Sequence, residues 1–177
     1  MTAVTATERW VAQFVIGLGL CPFAAVPFRQ DRVLTLACPA TTTEAAFYWA
    51  GTQMQRLLDT PPLVVETSLL VFTHLDLADF EAFLDFVAEL EHLLDRSGAS
   101  GDIQLAHFHP DYRFAETEHD DPANYTNRSP YPTVQLLRVV SVAAAVAGHA
   151  HVEDIPRRNV DLLRQRPDLI ALRRGDS

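Results

Sequence analysis

Three short segments of strand character, at 33–37, 67–72 and 102–109, are separated by amphipathic helical patterns, and this alternation constrains the fold more than any other feature. Strands joined through a helix cannot form a tight hairpin, so parallel pairing with right-handed crossovers is expected. A capping box, Thr5-x-x-Glu8, precedes Val11, Phe14, Val15 and Leu18 on one helical face, and Gly19 and Pro22 end that helix. A second box, Thr41-x-x-Glu44, opens a helix with Phe47, Ala50, Met54 and Leu57 inward, stopped by Pro61-Pro62. Asp76 is expected to cap the clearest helix, with Leu77, Phe80, Leu84, Val87 and Leu94 opposite an acidic face, and Gly98 at its C′ position. Ile103, Leu105, His107 and His109 alternate to one face of the third strand. A long polar segment, 110–127, follows. Ser129-Pro130 then opens an apolar helix closed by Gly148, and 154–164 forms a last amphipathic helix.

The order α-β-α-β-α-β-loop-α-α indicates the α/β class: a small three-layer domain with a short, mainly parallel sheet flanked by helices. A strand hidden in the long loop would make it α+β with a mixed sheet. The 177 residues are expected to form a single domain, with 1–6 and 167–177 as loosely ordered tails.

Composition narrows the chemistry. Hydrophobic residues make up 48% and charged residues 21%, as in a globular chain. A net charge of -9 opposes nucleic-acid binding, which depends on counterion release at a basic face. The first residues lack the basic and apolar regions of a secretory signal. The apolar stretch 134–146 is too short to span a bilayer, and Arg138 interrupts it, so no membrane association is expected. Cys21 and Cys38 are too few for a disulfide scaffold, which points to free thiols and a cytoplasmic location. All 14 basic residues are arginine. The absence of lysine excludes Schiff-base chemistry, pyridoxal-phosphate anchoring and a P-loop lysine within the chain. No cofactor motif is visible, and none is expected.

Candidate chemistry gathers after the third strand. His109, at a strand's carboxyl end, is a candidate general acid or base, with the Asp111 carboxylate orienting it. His107-x-His109 is a weak metal-chelating pair, with no second ligand pair at diagnostic spacing. Asn127-Arg128-Ser129-Pro130 reads as an anion site if a helix begins at Pro130, since free N–H groups would then sit beside a guanidinium. The competing reading has Arg128 paired with Asp120 or Asp121 to pin the loop. Cys21 is a candidate nucleophile, although a position after a helix C-terminus raises a thiol pKa; a helix starting at Pro22 would reverse this. Tyr112 and Arg138 are candidate pocket-lining groups. Gly17-x-Gly19, the sequon at Asn124 and Arg174-Gly175-Asp176 lack the context that would make them motifs.

With those segments quoted, the chain resembles the family known as domain of unknown function 1415. The resemblance rests on Gly17-Leu18-Gly19-Leu20-Cys21-Pro22-Phe23-Ala24 and on Phe108-His109-Pro110-Asp111-Tyr112-x-Phe114-Ala115. It continues through the run from Asp120 to Pro132, Leu136-Leu137-Arg138, and Ile155-Pro156-Arg157-Arg158-Asn159. It implies that the Cys21, His109 and Arg128 segments belong to one pattern, and it brings no activity with it. Against that pattern the chain has His107 for a small residue, Glu116 for glycine and Val139 for an acidic residue.

Two classes of function follow. The first is an enzyme acting on a small anionic metabolite, a carboxylate or phosphate. Arg128, Asn127 and Ser129 would hold the anion, His109 with Asp111 would move a proton, Cys21 would be the nucleophile or a group supporting the reacting ones, and Tyr112 and Arg138 would line the pocket. The second is a non-catalytic binding or homodimeric assembly domain, whose polar loop is a rigid plug and whose apolar helix packs in the core or an interface. Convergence of His109, Arg128 and Cys21 on one concavity separates the two.

Overall fold

Four strands form one mixed sheet in the computed structural model, which describes residues 1–174. They are β1 (Val33–Ala37), β2 (Thr67–Val71), β3 (Ile103–Phe108) and β4 (Thr133–Arg138), in the spatial order β1-β2-β4-β3. The helices, in chain order, are α1 (Ala3–Trp10), α2 (Ala25–Arg29), α3 (Thr43–Asp59), α4 (Phe80–Ser97), α5 (Val139–Ala147) and α6 (Ile155–Gln165). A π-helical stretch, Val11–Ile16, continues α1.

The expected mainly parallel sheet is corrected. β1 and β2 are parallel, but β4 runs antiparallel to both β2 and β3. The cause lies in 130–146, expected as one helix and in fact divided into β4 and α5. Ser129 and Tyr131 each precede a proline, which disfavours helical backbone and pushes both toward extended geometry. Pro132 then joins the ladder through its carbonyl, which accepts from the Phe72 N–H at 2.9 Å. The following apolar residues match a doubly buried strand as well as a helix, so periodicity alone could not separate them.

Helix starts moved by one to three residues where another residue makes the capping bond. Thr2, Thr42 and Asp79 accept from the N–H groups of Thr5, Ala45 and Ala82, in place of Thr5, Thr41 and Asp76. Gly98 occupies the C′ position of α4 at φ 76°, as expected.

Strand alternation divides the side chains between two layers. Leu36, Leu70, Phe72, Ile103, Val134 and Leu136 pack with α3 and α4, whose Ala46, Ala50, Phe83 and Leu90 are fully buried. The opposite face carries Leu69 and Phe108 against Trp10, Phe14, Leu20 and Leu163. Of the expected tails, 3–10 is helical, and Ile170 and Leu172 of Pro167–Arg174 pack against this second cluster; 175–177, with Gly175 and Asp176, lie outside the described residues. The apolar α5 was expected to pack in a core or interface. It rests against β4 with no buried residue, and Val140 and Val146 are exposed. Among the described residues, no helix is long and apolar enough to cross a membrane.

Candidate functional site

His109 follows β3 and turns toward α4, where its fully buried ring lies 5.2 Å from both Phe80 and Phe83. Both nitrogens are engaged. Nδ1 accepts from the Asp111 backbone N–H at 3.0 Å, and Nε2 lies 3.1 Å from the Leu77 carbonyl, so the ring is a neutral Nε2–H tautomer. Burial lowers its pKa; the Leu77 carbonyl and Asp111 oppose that shift. The expected orienting carboxylate is therefore corrected: Asp111 acts through its backbone, and its residue is exposed. His107 shares this face, packing against Phe83 and Tyr112, and burial lowers its pKa too. Among the described residues, the one cluster of three metal-ligating groups is the exposed trio His151, Glu153 and Asp154, which includes neither of these histidines.

The segment after His109 is filled by its own side chains. Fully buried Asn124 accepts through Oδ1 from the Phe114 N–H and the Thr117 hydroxyl, and donates through Nδ2 to the Glu118 and His119 carbonyls. Arg128, also buried, donates to the Tyr112 carbonyl at 2.9 Å and the His119 carbonyl at 2.7 Å, and stacks on Tyr125. It thus pins the loop through carbonyls rather than through Asp120 or Asp121; Asp121 pairs with Arg164 instead. Ser129 does not begin a helix, and its hydroxyl bonds the Tyr131 carbonyl, so the geometry expected for an anion site is absent there. Arg138 is buried too; its Nη2 donates to the Leu57 and Thr60 carbonyls at the end of α3 and to the Val65 carbonyl beyond it, while its Nε is buried without a hydrogen-bond partner. Such a cation satisfies the orphan carbonyls and the negative pole of a helix.

Open space lies over the other face of the sheet. A cavity of about 580 Å³ is floored by Val33, Leu69, Ala106, Phe108, Gln135 and Leu137 and walled by α5 and by residues 21–27. A second, of about 340 Å³, lies between Phe108, Phe114, Thr126, Asn127 and α6. Cys21 lines both. The backbone that presents it is tightly specified. Wide π-helical turns carry the Leu20 N–H to the Val15 carbonyl, and a Cβ on Gly17 would lie 2.1 Å from the Gln13 carbonyl oxygen. Gly19 adopts φ 63°, in the left-handed region that favours glycine. Asn159 donates to the Leu20 carbonyl at 2.7 Å, anchoring the turn to α6. Burial pushes the Cys21 thiol up, against hydrogen bonds from the Phe23 and Ala24 N–H groups. The direction matches the sequence expectation, but desolvation causes it rather than a helix C-terminus.

The candidate residues therefore separate. His107 and His109 face α4, while Cys21 faces the cavities across the sheet. Cys21 and Asn127 meet at the smaller cavity, and Asn127 also bonds the half-buried Tyr112 hydroxyl, whose pKa burial raises. Arg138 touches the edge of the larger cavity. Sequence reasoning missed Gln135, Ser141 and Asn159. The signal for Gln135 was a lone polar residue among apolar neighbours at 134–137, hidden by reading that stretch as a helix.

Comparison with known families matches residues 2–168 to the one described as "Protein of unknown function (DUF1415)". No curated protein and no solved structure matches the chain.

Proposed function

We propose that this chain, which belongs to the DUF1415 family, is a binding domain for a small, largely apolar molecule held over the open face of its sheet. The observation that carries the reading is the half-enclosed cavity of about 580 Å³, apolar in most of its wall, with the Gln135 carboxamide in its floor. Small-molecule sites have this character: several hundred Å³, mainly hydrophobic, with a few fixed polar groups. A catalytic role built on His109 has less support, because that imidazole is fully buried with both nitrogens bonded inside the protein. The polar loop fits the rigid plug. Cys21 and Cys38 are both free thiols, which suits a reducing compartment such as the cytoplasm.

The test is occupancy by Nile red, a neutral dye whose emission brightens and shifts to the blue in apolar surroundings. The protein should bind it saturably. Ala106→Phe, which places a ring in the cavity floor, should weaken binding by about tenfold or more at an unchanged fold, judged by circular dichroism. Equal dye binding by the filled variant would move the site elsewhere and end the reading.

A further inference from the structure

We infer that the ligand of the larger cavity is an amphipathic monocarboxylate, its apolar chain or ring over the sheet and its carboxylate at the first turn of α5, beside Arg138. This rests on the binding reading above and names the class of molecule that the site takes.

Charge at the wall does not balance. Arg32, Glu66 and Arg138 are its charged residues, and the first two form an ion pair at 2.9 Å. Among the described residues, no carboxylate pairs with Arg138. Its Nη2 donates to the Leu57, Thr60 and Val65 carbonyls, which are dipoles and not counter-charges. Its Nε has no hydrogen-bond partner, in a residue only 8% exposed. A buried donor without an acceptor, in a cation without an anion, is unfavourable on both counts, and a bound carboxylate relieves both.

The chain runs from Arg138 directly into α5, whose first turn adds donors. No side chain caps that helix, and of its leading N–H groups only that of Val139 is taken, by the Asp102 carbonyl at 2.9 Å. The N–H groups of Val140 and Ser141 have no acceptor within the helix and carry its positive pole. Ser141 lines the cavity and adds a hydroxyl. On the floor, Gln135 Nε2 donates to the Thr67 hydroxyl at 3.0 Å and keeps a second N–H. A carboxylate only accepts, so it matches a wall with donors to spare. One uncompensated guanidinium matches one negative charge, which favours a carboxylate over a phosphate dianion. Val33, Leu69, Ala106, Phe108 and Leu137 suit the apolar body.

The experiment displaces bound Nile red at pH 8 with ligands of one chain length: decanoate, 1-decanol, decyl phosphate and decyltrimethylammonium. Decanoate should bind about tenfold or more tightly than decanol, and more tightly than the phosphate and the cation. An apolar cavity without a counter-charge reverses the order of decanoate and decanol, because the carboxylate loses its hydration. Ser141→Asp puts a carboxylate in the first turn of α5, where acidic residues favour a helix, and should bring the preference for decanoate over decanol down to about one or below. Decanol displacing the dye as well as decanoate, or better, would overturn the carboxylate while leaving the binding reading intact. Tighter binding of decyl phosphate would overturn the head group. An unchanged preference in Ser141→Asp would overturn its place at α5. Failure of the dye to bind at all would remove the binding reading, and this inference with it.

Discussion

Leu70, Phe72, Val134 and Leu136 meet α3 and α4 on one face of the sheet in a dry layer, where Phe83, Leu90 and Ala50 have no exposure. Across the same strands, Leu69 meets Trp10 and Phe14 toward α1, while Ala106, Gln135 and Leu137 look into open space. The two faces share a backbone and differ in what covers them. α3 and α4 lie flat on the sheet with amphipathic faces turned inward, whereas α5 is apolar all round and buries none of its residues. A helix apolar on every side normally belongs in an interior. Here its inner side instead walls a cavity, so one face of the sheet is close-packed and the other is left open.

The sharpest way to break this comparison is to truncate a side chain on each face. Phe83→Ala should cost about 3–5 kcal/mol, since transfer and cavity terms add in a close-packed layer. Leu137→Ala removes a half-buried side chain beside existing space, and should cost under about 2 kcal/mol. Urea unfolding measures both. Equal losses would make the hollow face a core like the other.

A somewhat smaller loss, about 3 kcal/mol, is expected for Arg128→Ala. The Tyr112 and His119 carbonyls would lose their charged donor. Arg128→Lys should recover little, because an ammonium cannot reproduce the fork that reaches both carbonyls while stacking on Tyr125. A melting temperature unchanged in Arg128→Ala, with protection by phosphate lost, would restore the anion site and dissolve the plug.

How much of this was readable in the residues depended on whether the deciding force was local. β1, β2 and β3 were found within a residue, as were the C-terminal ends of α3 and α4, because prolines, glycines and short-range periodicity act within a few residues. β4 was missed because its identity rests on insertion between β2 and β3, a partnership that no local window records. The candidate site divided the same way. Cys21 and Asn127 were singled out and do meet, but across a cavity formed by α6 and Phe108, which are far from both in sequence. His109 looked chemically available because it ends a strand. Its burial follows from the path of Leu75–Ala78 ahead of α4, which brings the Leu77 carbonyl to the ring.

The smallest expected effect separates the faces by pH. Nδ1 of His109 already accepts a backbone hydrogen bond, so protonation would set N–H against N–H between two phenylalanine rings. Burial lowers the pKa of His109 and, on the same face, of His107; Glu91 opposes the shift at His107. The unfolded chain takes up protons at these sites below about pH 6.5, where the folded chain resists. Stability from this source is therefore full above that pH and falls as the pH drops through it, by at most about 1.4 kcal/mol per pH unit for each histidine. Melting temperatures between pH 8 and 5 should decline accordingly, and a His107→Leu variant should decline less steeply. Over the range where the protein stays folded, binding of Nile red should not change, because no histidine lines the cavity. A dye affinity that tracked the histidine titration would couple the two faces and remove the contrast between them.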